Sequence, residues 1–192
     1  MLHLVARAAL TIVLVLQATA PDAAKPREVS RIYWELLQTT EVLVRVIPVA
    51  PDGTPVRVHL VFHAFFPGRE TRNWSTGQPA WPKGPPARLT VTAQAFPLTF
   101  VIPQLSLRLD INGRQHDLTA PGSRYRNIPC LIAGDNCAPD GIEADLDPSV
   151  LASLASVRSV KGQALGFPFE LTQPDLQALA VFAARVGVTK QE

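Results

Sequence analysis

The residues best suited to chemistry lie in a proline- and glycine-rich segment at positions 67–88 of this 192-residue chain. It holds two tryptophans and four basic residues against one acidic residue. Loops of this length are often functional, and flat aromatic faces beside cations bind sugars, anionic polymers and peptide tails. The alternative is that both tryptophans fold inward and pin the loop to the domain, because large aromatic side chains favour burial. The binding hypothesis has these contact residues: Trp74, Trp81, Arg69, Arg72 and Lys83.

Two cysteines, Cys130 and Cys137, enclose six residues. This spacing suits a local disulfide in an oxidising compartment. Closing so short a loop stabilises a fold by roughly 2–3 kcal/mol in the chain-entropy model. The Cys-x-x-Cys spacing of redox proteins is absent, and no further zinc ligands accompany the pair. We therefore predict a structural disulfide.

Acidic residues gather just after the first cysteine, and their carboxylate oxygens could bind a calcium ion. The alternative to such a site is that the chain binds no metal. Their spacing does not match an EF-hand loop, and Asp147, followed by Pro148, is explained as the N-cap of a helix. We predict no metal site. The calcium alternative would use Asp135, Asp140, Glu143 and Asp145.

The histidines do not form a recognisable catalytic or metal motif. His59 and His63 would face one metal ion on a helix, but their surroundings indicate a strand, where four steps separate them by roughly 13 Å. His116 could join a serine and an aspartate, yet no Gly-x-Ser-x-Gly elbow is present. No phosphate-binding glycine motif occurs either. The sequence thus predicts no cofactor, and a non-enzymatic protein is favoured over a small secreted hydrolase.

The first half of the chain is predicted to form short strands, and these must position the residues discussed above. Runs rich in valine, leucine, threonine and phenylalanine alternate with proline, glycine, aspartate and asparagine, which is strand spacing. A turn at Pro51-Asp52-Gly53 joins the runs 41–47 and 56–66 into a hairpin. For the preceding run, 31–38, a short helix is an alternative to a strand. The predicted strands are 31–38, 41–47, 56–66, 88–96 and 98–102.

A hairpin at 105–118 is the clearest local signal, because Asn112-Gly113 supplies the two positive-φ residues of a type I′ turn. A two-residue loop sets Ile111 opposite Arg114 and Arg108 opposite Asp117. One face of the hairpin is then polar and the other apolar. The apolar face holds Leu107, Leu109, Ile111 and Leu118.

The last third changes to helical signals. Asp147 and Pro148 begin a helix over 149–157. Thr172 and Asp175 form a capping box for a second, amphipathic helix, which Gly187 ends. An extended segment at 163–170 separates the two helices. The predicted fold is mainly β or α+β, an antiparallel β-sandwich-like domain with one or two C-terminal helices packed on it.

The N-terminus has the form of a secretory signal, with Arg7 followed by an apolar run at 8–16. We expect residues 1–24 to be a signal peptide cleaved between 18 and 24, and 25–192 to form a single globular domain. The run is too short to span a bilayer, so no membrane span is expected after cleavage. The arginine- and alanine-rich composition is typical of a GC-rich bacterial genome, which makes the destination the periplasm or the extracellular space.

Composition and charge restrict the function classes that remain. The formal net charge is +2 and the basic residues are mostly scattered, so nucleic acid is not an expected partner. We expect a soluble exported binding module that uses loop 67–88. Its partner would be an envelope glycan, an anionic polymer or a protein. The alternatives are a small secreted hydrolase and an envelope structural protein without a ligand.

Overall fold

A computed structural model describes residues 27–50, 57–68, 75–77, 80–96, 104–128 and 141–188. Several predicted features lie outside these ranges and are not tested by the structure. They are the signal segment 1–24, the turn at Pro51-Asp52-Gly53, the strand at 98–102, and the pair Cys130 and Cys137.

The described residues form two antiparallel sheets and two α-helices, which confirms the predicted mainly β fold with a C-terminal helix. The large sheet has the strand order β1-β2-β3-β4-β8-β7, and the small sheet has the order β10-β9-β5-β6. A single 3₁₀ turn, Glu35–Leu37, joins β1 to β2. The bounds are β1 Val29–Trp34, β2 Thr39–Val46, β3 Arg57–Pro67, β4 Arg88–Phe96, β5 Leu107–Ile111, β6 Arg114–Asp117, β7 Tyr125–Ile128, β8 Gly141–Asp145, α1 Pro148–Leu154, β9 Val160–Ala164, β10 Phe167–Leu171 and α2 Gln173–Arg185.

The large sheet has an inner face toward the hydrophobic core and an opposite, outer face whose side chains range from buried to exposed. Alternate residues of β3 are buried, as the apolar pattern predicts, and the intervening ones are partly exposed. A backbone bridge between Val49 and Glu170, with N–H to O distances of 2.9 Å in both directions, links the chain after β2 to β10. The buried inner positions of β3 are Val58, Leu60, Phe62 and Ala64.

The predicted strand at 31–38 is correct only as far as Trp34. Its second half forms the 3₁₀ turn Glu35–Leu37, so the short helix that was the alternative to a strand is correct for these residues. The reason is geometric: Trp34 pairs with Thr39, and the chain must reverse in the four residues between them. Gln38 completes the reversal at φ 48°, with its N–H donating to the Glu35 carbonyl at 3.2 Å.

The hairpin of β5 and β6 confirms the predicted register and faces. Asn112 and Gly113 have φ of 54° and 77°, as a type I′ turn requires. Arg108 faces Asp117, and its Nε donates to the carboxylate at 2.9 Å. The buried side chains are Leu107, Leu109, Ile111 and Leu118.

The extended segment predicted at 163–170 is wrong in its middle, because β9 and β10 form a second hairpin that turns at Leu165 and Gly166. Both turn residues have positive φ, 57° and 85°. A leucine in this conformation is strained, but its side chain is completely buried, and that burial offsets the strain. The usual Asn-Gly signal is missing here, so pattern analysis does not detect the turn.

The two helices carry the predicted N-terminal caps. Asp147 accepts a hydrogen bond from the Ser149 N–H at 2.7 Å, although α1 ends at Leu154, three residues before the predicted end. Helix α2 begins with the Thr172–Asp175 capping box, and it contacts α1, β1 and β2. Its last turn closes as a Schellman motif. There Gly187 has φ 72°, and the Val188 N–H donates to the Ala183 carbonyl at 2.9 Å.

Asp175 provides a direct test of how α2 is held. Its carboxylate is fully buried, accepts hydrogen bonds from the Thr172 N–H and hydroxyl, and lies 2.6 Å from Arg27 Nη1. Asp175→Ala leaves that guanidinium group without its partner and removes the cap. We expect a loss of about 3–5 kcal/mol in the free energy of unfolding, measured by urea denaturation. Glu35→Ala, at an exposed carboxylate, is the control and should change stability by less than about 0.5 kcal/mol. Equal losses in the two variants would contradict this account.

Candidate functional site

Trp81 lies where three elements meet. Its ring is partly buried and packs against the core. The guanidinium carbon of Arg185, the last residue of α2, is 4.7 Å from the ring centroid, and that of Arg31 on β1 is 6.0 Å away. Both distances fall within the range of cation–π attraction. Trp81 thus joins the loop to the edge of the large sheet and to the end of α2.

The backbone explains this convergence. Arg31 pairs in register with the buried Val42, so it lies on the inner side of the edge strand β1. Its Nη1 donates a hydrogen bond to the carbonyl of Ala80, directly before Trp81. At the other end of the segment, the Ala87 N–H donates to the Phe65 carbonyl at 2.8 Å, which leads the chain into β4. The loop around Trp81 is therefore attached to the sheet at both ends.

The predicted binding loop is described only in part. Trp81 and Lys83 are described, whereas Trp74, Arg69 and Arg72 lie outside the described residues. Trp81 has the core contact expected of a pinning residue, while Lys83, two residues further on, is exposed. The binding role of the loop stays a prediction.

The structure adds two cations to this predicted site. Arg31 and Arg185 are 50 and 104 residues from Trp81 in sequence, so no local pattern connects them to it. Within the described ranges, no carboxylate forms an ion pair with Arg185 or Lys83. The Trp81 surface, defined as Trp81, Arg31, Arg185 and Lys83, combines one indole ring with three basic side chains.

A second constellation lies on the outer face, around the buried carboxylate of Glu41. His63 Nδ1 lies 2.5 Å from Glu41 Oε1, and the Trp34 Nε1–H donates to Oε2 at 2.6 Å. The hydrogen bond with His63 lowers the pKa of Glu41, and burial opposes this effect. The His63 ring also stacks on Phe65, with ring centroids 6.0 Å apart. His63 lies on the outer face of the sheet, and no local sequence pattern indicates its partner Glu41 on β2.

The Glu41–His63 pair resembles the base and its orienting acid in a hydrolase, but such a base also needs a nucleophile beside it. Thr90 is opposite His63 on β4, but it is fully buried and its Oγ1 has no hydrogen-bond partner. A nucleophile needs a hydrogen bond to the base and access to substrate. Thr90 has neither in this structure, and the arrangement instead joins β1, β2 and β3.

His116 also lies near a carboxylate and a serine. Hydrogen bonds from Ser149, first from its side chain and then from its backbone, lower the pKa of Asp147, and the charge of His116 adds to this shift. In a catalytic triad the histidine lies between the serine and the aspartate. Here Asp147 bonds Ser149 directly as the helix N-cap. The three residues are close together but in the wrong order for that chemistry.

Two carboxylates of the calcium alternative are described, and both face arginine. One nitrogen of Arg88, Nη2, lies 3.0 Å from both Glu143 Oε1 and Asp145 Oδ1, and Arg126 donates to Glu143 Oε2 at 2.7 Å. The other two residues of that alternative, Asp135 and Asp140, lie outside the described residues. In the described part of the chain, no three His, Cys, Asp or Glu side chains gather into a possible metal site.

Two other surfaces were not anticipated. The tip of the β1–β2 hairpin exposes Trp34 at 46%, Leu36 at 100% and Leu37 at 72%. A groove of about 480 Å³ opens between Val49 and β10. Its two charged residues, Lys161 and Glu170, are opposite each other in register, so the groove carries no net charge.

No protein-family model, curated protein or solved structure matches this chain. Of the helices in the described ranges, none is long and apolar enough to cross a membrane. The fold is that of a two-sheet antiparallel β protein with a C-terminal helix. Its function must be argued from its own surfaces.

Glu41 gives a testable pH dependence. Since its folded pKa is lowered, ionised Glu41 stabilises the protein above its ordinary pKa of 4.5, and this contribution is lost as the pH falls through the folded value. We expect Glu41→Gln to lower the free energy of unfolding by about 1–3 kcal/mol near neutral pH, and to remove part of the acid sensitivity. The measurement is urea denaturation over a range of pH, followed by tryptophan fluorescence.

Glu35→Gln, at an exposed carboxylate on the same hairpin, is the matched control. Asp117 and Asp147 also have lowered pKa values, so some acid sensitivity should persist in both variants. An unchanged pH profile in Glu41→Gln would show that the carboxylate does not hold the hairpin.

Proposed function

We propose that this protein is an exported, non-enzymatic binding module that takes an anionic ligand at the Trp81 surface. The observation that carries the proposal is the pair of guanidinium groups held against one indole ring, at 4.7 Å and 6.0 Å. Cation–π attraction to the ring limits the motion of each guanidinium group. Less conformational entropy is then lost when an anion binds.

The chemistry favours an anion over a neutral sugar. A guanidinium group that contacts an aromatic ring through its plane keeps N–H donors at its edges, and these match carboxylate, sulfate or phosphate oxygens. A neutral sugar would instead need an open ring face for stacking. Here cations from two elements already contact the ring of Trp81. An anionic polymer of the cell envelope fits this surface best.

Export is supported by the sequence. The positively charged start, the apolar run at 8–16 and the small residues that follow have the form of a secretory signal. Such a signal supports a destination in the periplasm or outside the cell, where anionic polymers of the envelope are available.

The test is a fluorescence titration of the mature protein with dextran sulfate, compared with uncharged dextran. We expect a saturable change in tryptophan emission with the charged polymer alone, weakening as salt is added. Arg185→Gln should weaken binding by about tenfold, which corresponds to roughly 1.4 kcal/mol.

Arg114→Gln removes an exposed arginine from the hairpin of the small sheet and serves as the control. Binding in this variant should equal that of the wild type. Equal responses to charged and uncharged dextran, or equal losses in the two variants, would refute an anion-binding role for this surface.

The apolar hairpin tip favours a second candidate function, docking onto an apolar surface of another protein. Large exposed apolar side chains that lie side by side mark interaction sites more often than single ones. A second copy of this chain is the partner that can be tested directly.

We expect sedimentation velocity to show self-association of the wild type at high concentration. A variant carrying Leu36→Ser and Leu37→Ser should remain monomeric, with stability changed by less than about 0.5 kcal/mol because both side chains are exposed. A monomeric wild type at all concentrations would remove self-docking as a function.

A further inference from the structure

We propose that the groove between Val49 and β10 is a second binding site, which takes a free amino acid with an apolar side chain. The groove has a volume of about 480 Å³, within the range of roughly 300–1,000 Å³ that is typical of small-molecule sites. None of the residues that define the Trp81 surface lines it. The groove is therefore independent of the function proposed above.

One wall of the groove is held in place by the backbone. Val49 exchanges two hydrogen bonds of 2.9 Å with Glu170, so the chain after β2 is fixed beside β10. The Val49 side chain nevertheless stays 56% exposed, and Ala50 and Pro168 add two more apolar residues to the lining. A wall that exists before binding loses little conformational entropy when an apolar side chain packs against it.

The floor of the groove is formed by backbone. Gly162 on β9 is opposite Phe169 on β10, and both residues line the groove. The Phe169 side chain is buried on the core side of the sheet, where it covers Gly162: a Cβ atom on Gly162 would lie 2.4 Å from the Phe169 Cζ atom. The space between Pro168 and Glu170 on the outer side is therefore open to a ligand, because the residue between them points inward.

The two charged residues of the groove are neighbours on adjacent strands. Lys161 is opposite Glu170 in register, which places their Cβ atoms about 4.5–5.5 Å apart. Both side chains are exposed, and in the described part of the chain neither forms an ion pair. The Ser159 hydroxyl donates to Glu170 Oε1 at 2.9 Å, which orients the carboxylate. An ammonium group and a carboxylate that are adjacent but not paired match the two charges of one amino acid.

The other charges on this face also favour a zwitterion. Asp110 on β5 is opposite Lys161 on the side away from Glu170, and it does not line the groove. Arg108 and Asp117, on β5 and β6, are paired with each other at 2.9 Å. A simple anion at Lys161 would be repelled by Glu170 and Asp110, and a simple cation at Glu170 would be repelled by Lys161. An amino acid offers an opposite charge to both groove residues at once.

The experiment follows the Gly162 amide and the Val49 methyl groups by NMR while L-leucine is added to the full-length mature protein. We expect a saturable shift at both residues. N-acetyl-L-leucine lacks the ammonium group, L-leucinamide lacks the carboxylate, and free glycine lacks the apolar side chain. Each of these three compounds should bind about fivefold more weakly than L-leucine, or weaker still.

Lys161→Gln and Glu170→Gln should each weaken L-leucine binding by about fivefold or more. Both side chains are exposed, and the bridge to Val49 uses only backbone atoms, so the groove should persist in both variants. Arg114→Gln, which removes an exposed cation from the same sheet outside the groove, is the matched control and should bind like the wild type.

The proposal is overturned if L-leucine causes no saturable shift, if the three analogues bind as well as L-leucine, or if Lys161→Gln and Glu170→Gln bind as well as Arg114→Gln. Trp81→Phe should leave L-leucine binding unchanged, which separates this result from the dextran sulfate test.

Discussion

The buried carboxylate of Asp175 is the interaction on which the arrangement of the parts depends. It caps α2 through Thr172 and lies 2.6 Å from Arg27, whose other terminal nitrogen donates to the Ile47 carbonyl at 3.1 Å. The start of β1, the end of β2 and the end of β10 are thereby fixed to one end of α2. A fully buried charge is tolerated when it is paired and hydrogen-bonded; here Thr172 donates the hydrogen bonds and Arg27 supplies the opposite charge.

Fixing one end of α2 determines what lies at the other end. The helix runs from Gln173 to Arg185, which is about 20 Å at 1.5 Å per residue. Leu179 and Phe182, both fully buried, prevent rotation of the helix about its axis. Arg185 can therefore reach Trp81 only if the N-terminal anchor and the packing of the helix are both correct. The proposed anion-binding surface is thus a consequence of how the fold is held.

Features encoded by neighbouring residues could be predicted, and features that need distant partners could not. The Asn112-Gly113 hairpin, the Thr172–Asp175 capping box and the alternating burial of β3 follow from local chemistry and are confirmed. The turn at Leu165 was missed because its strain is offset by burial, a tertiary effect. For the candidate site, which stays a prediction, the sequence pattern indicates Trp81 through its loop, whereas Arg31 and Arg185 come near Trp81 only through the fold.

The distribution of charge shows why composition alone gave little information about partners. A formal charge of +2 suggests a nearly neutral surface, but several carboxylates are already engaged within the fold. Asp175 holds Arg27, Glu143 holds Arg88 and Arg126, and Asp117 holds Arg108. In the part of the chain that the structure describes, Arg45, Arg57 and Arg185 form no ion pair with a carboxylate. Local positive clusters can therefore form on a protein of small net charge, and their positions are set by strand register and helix placement.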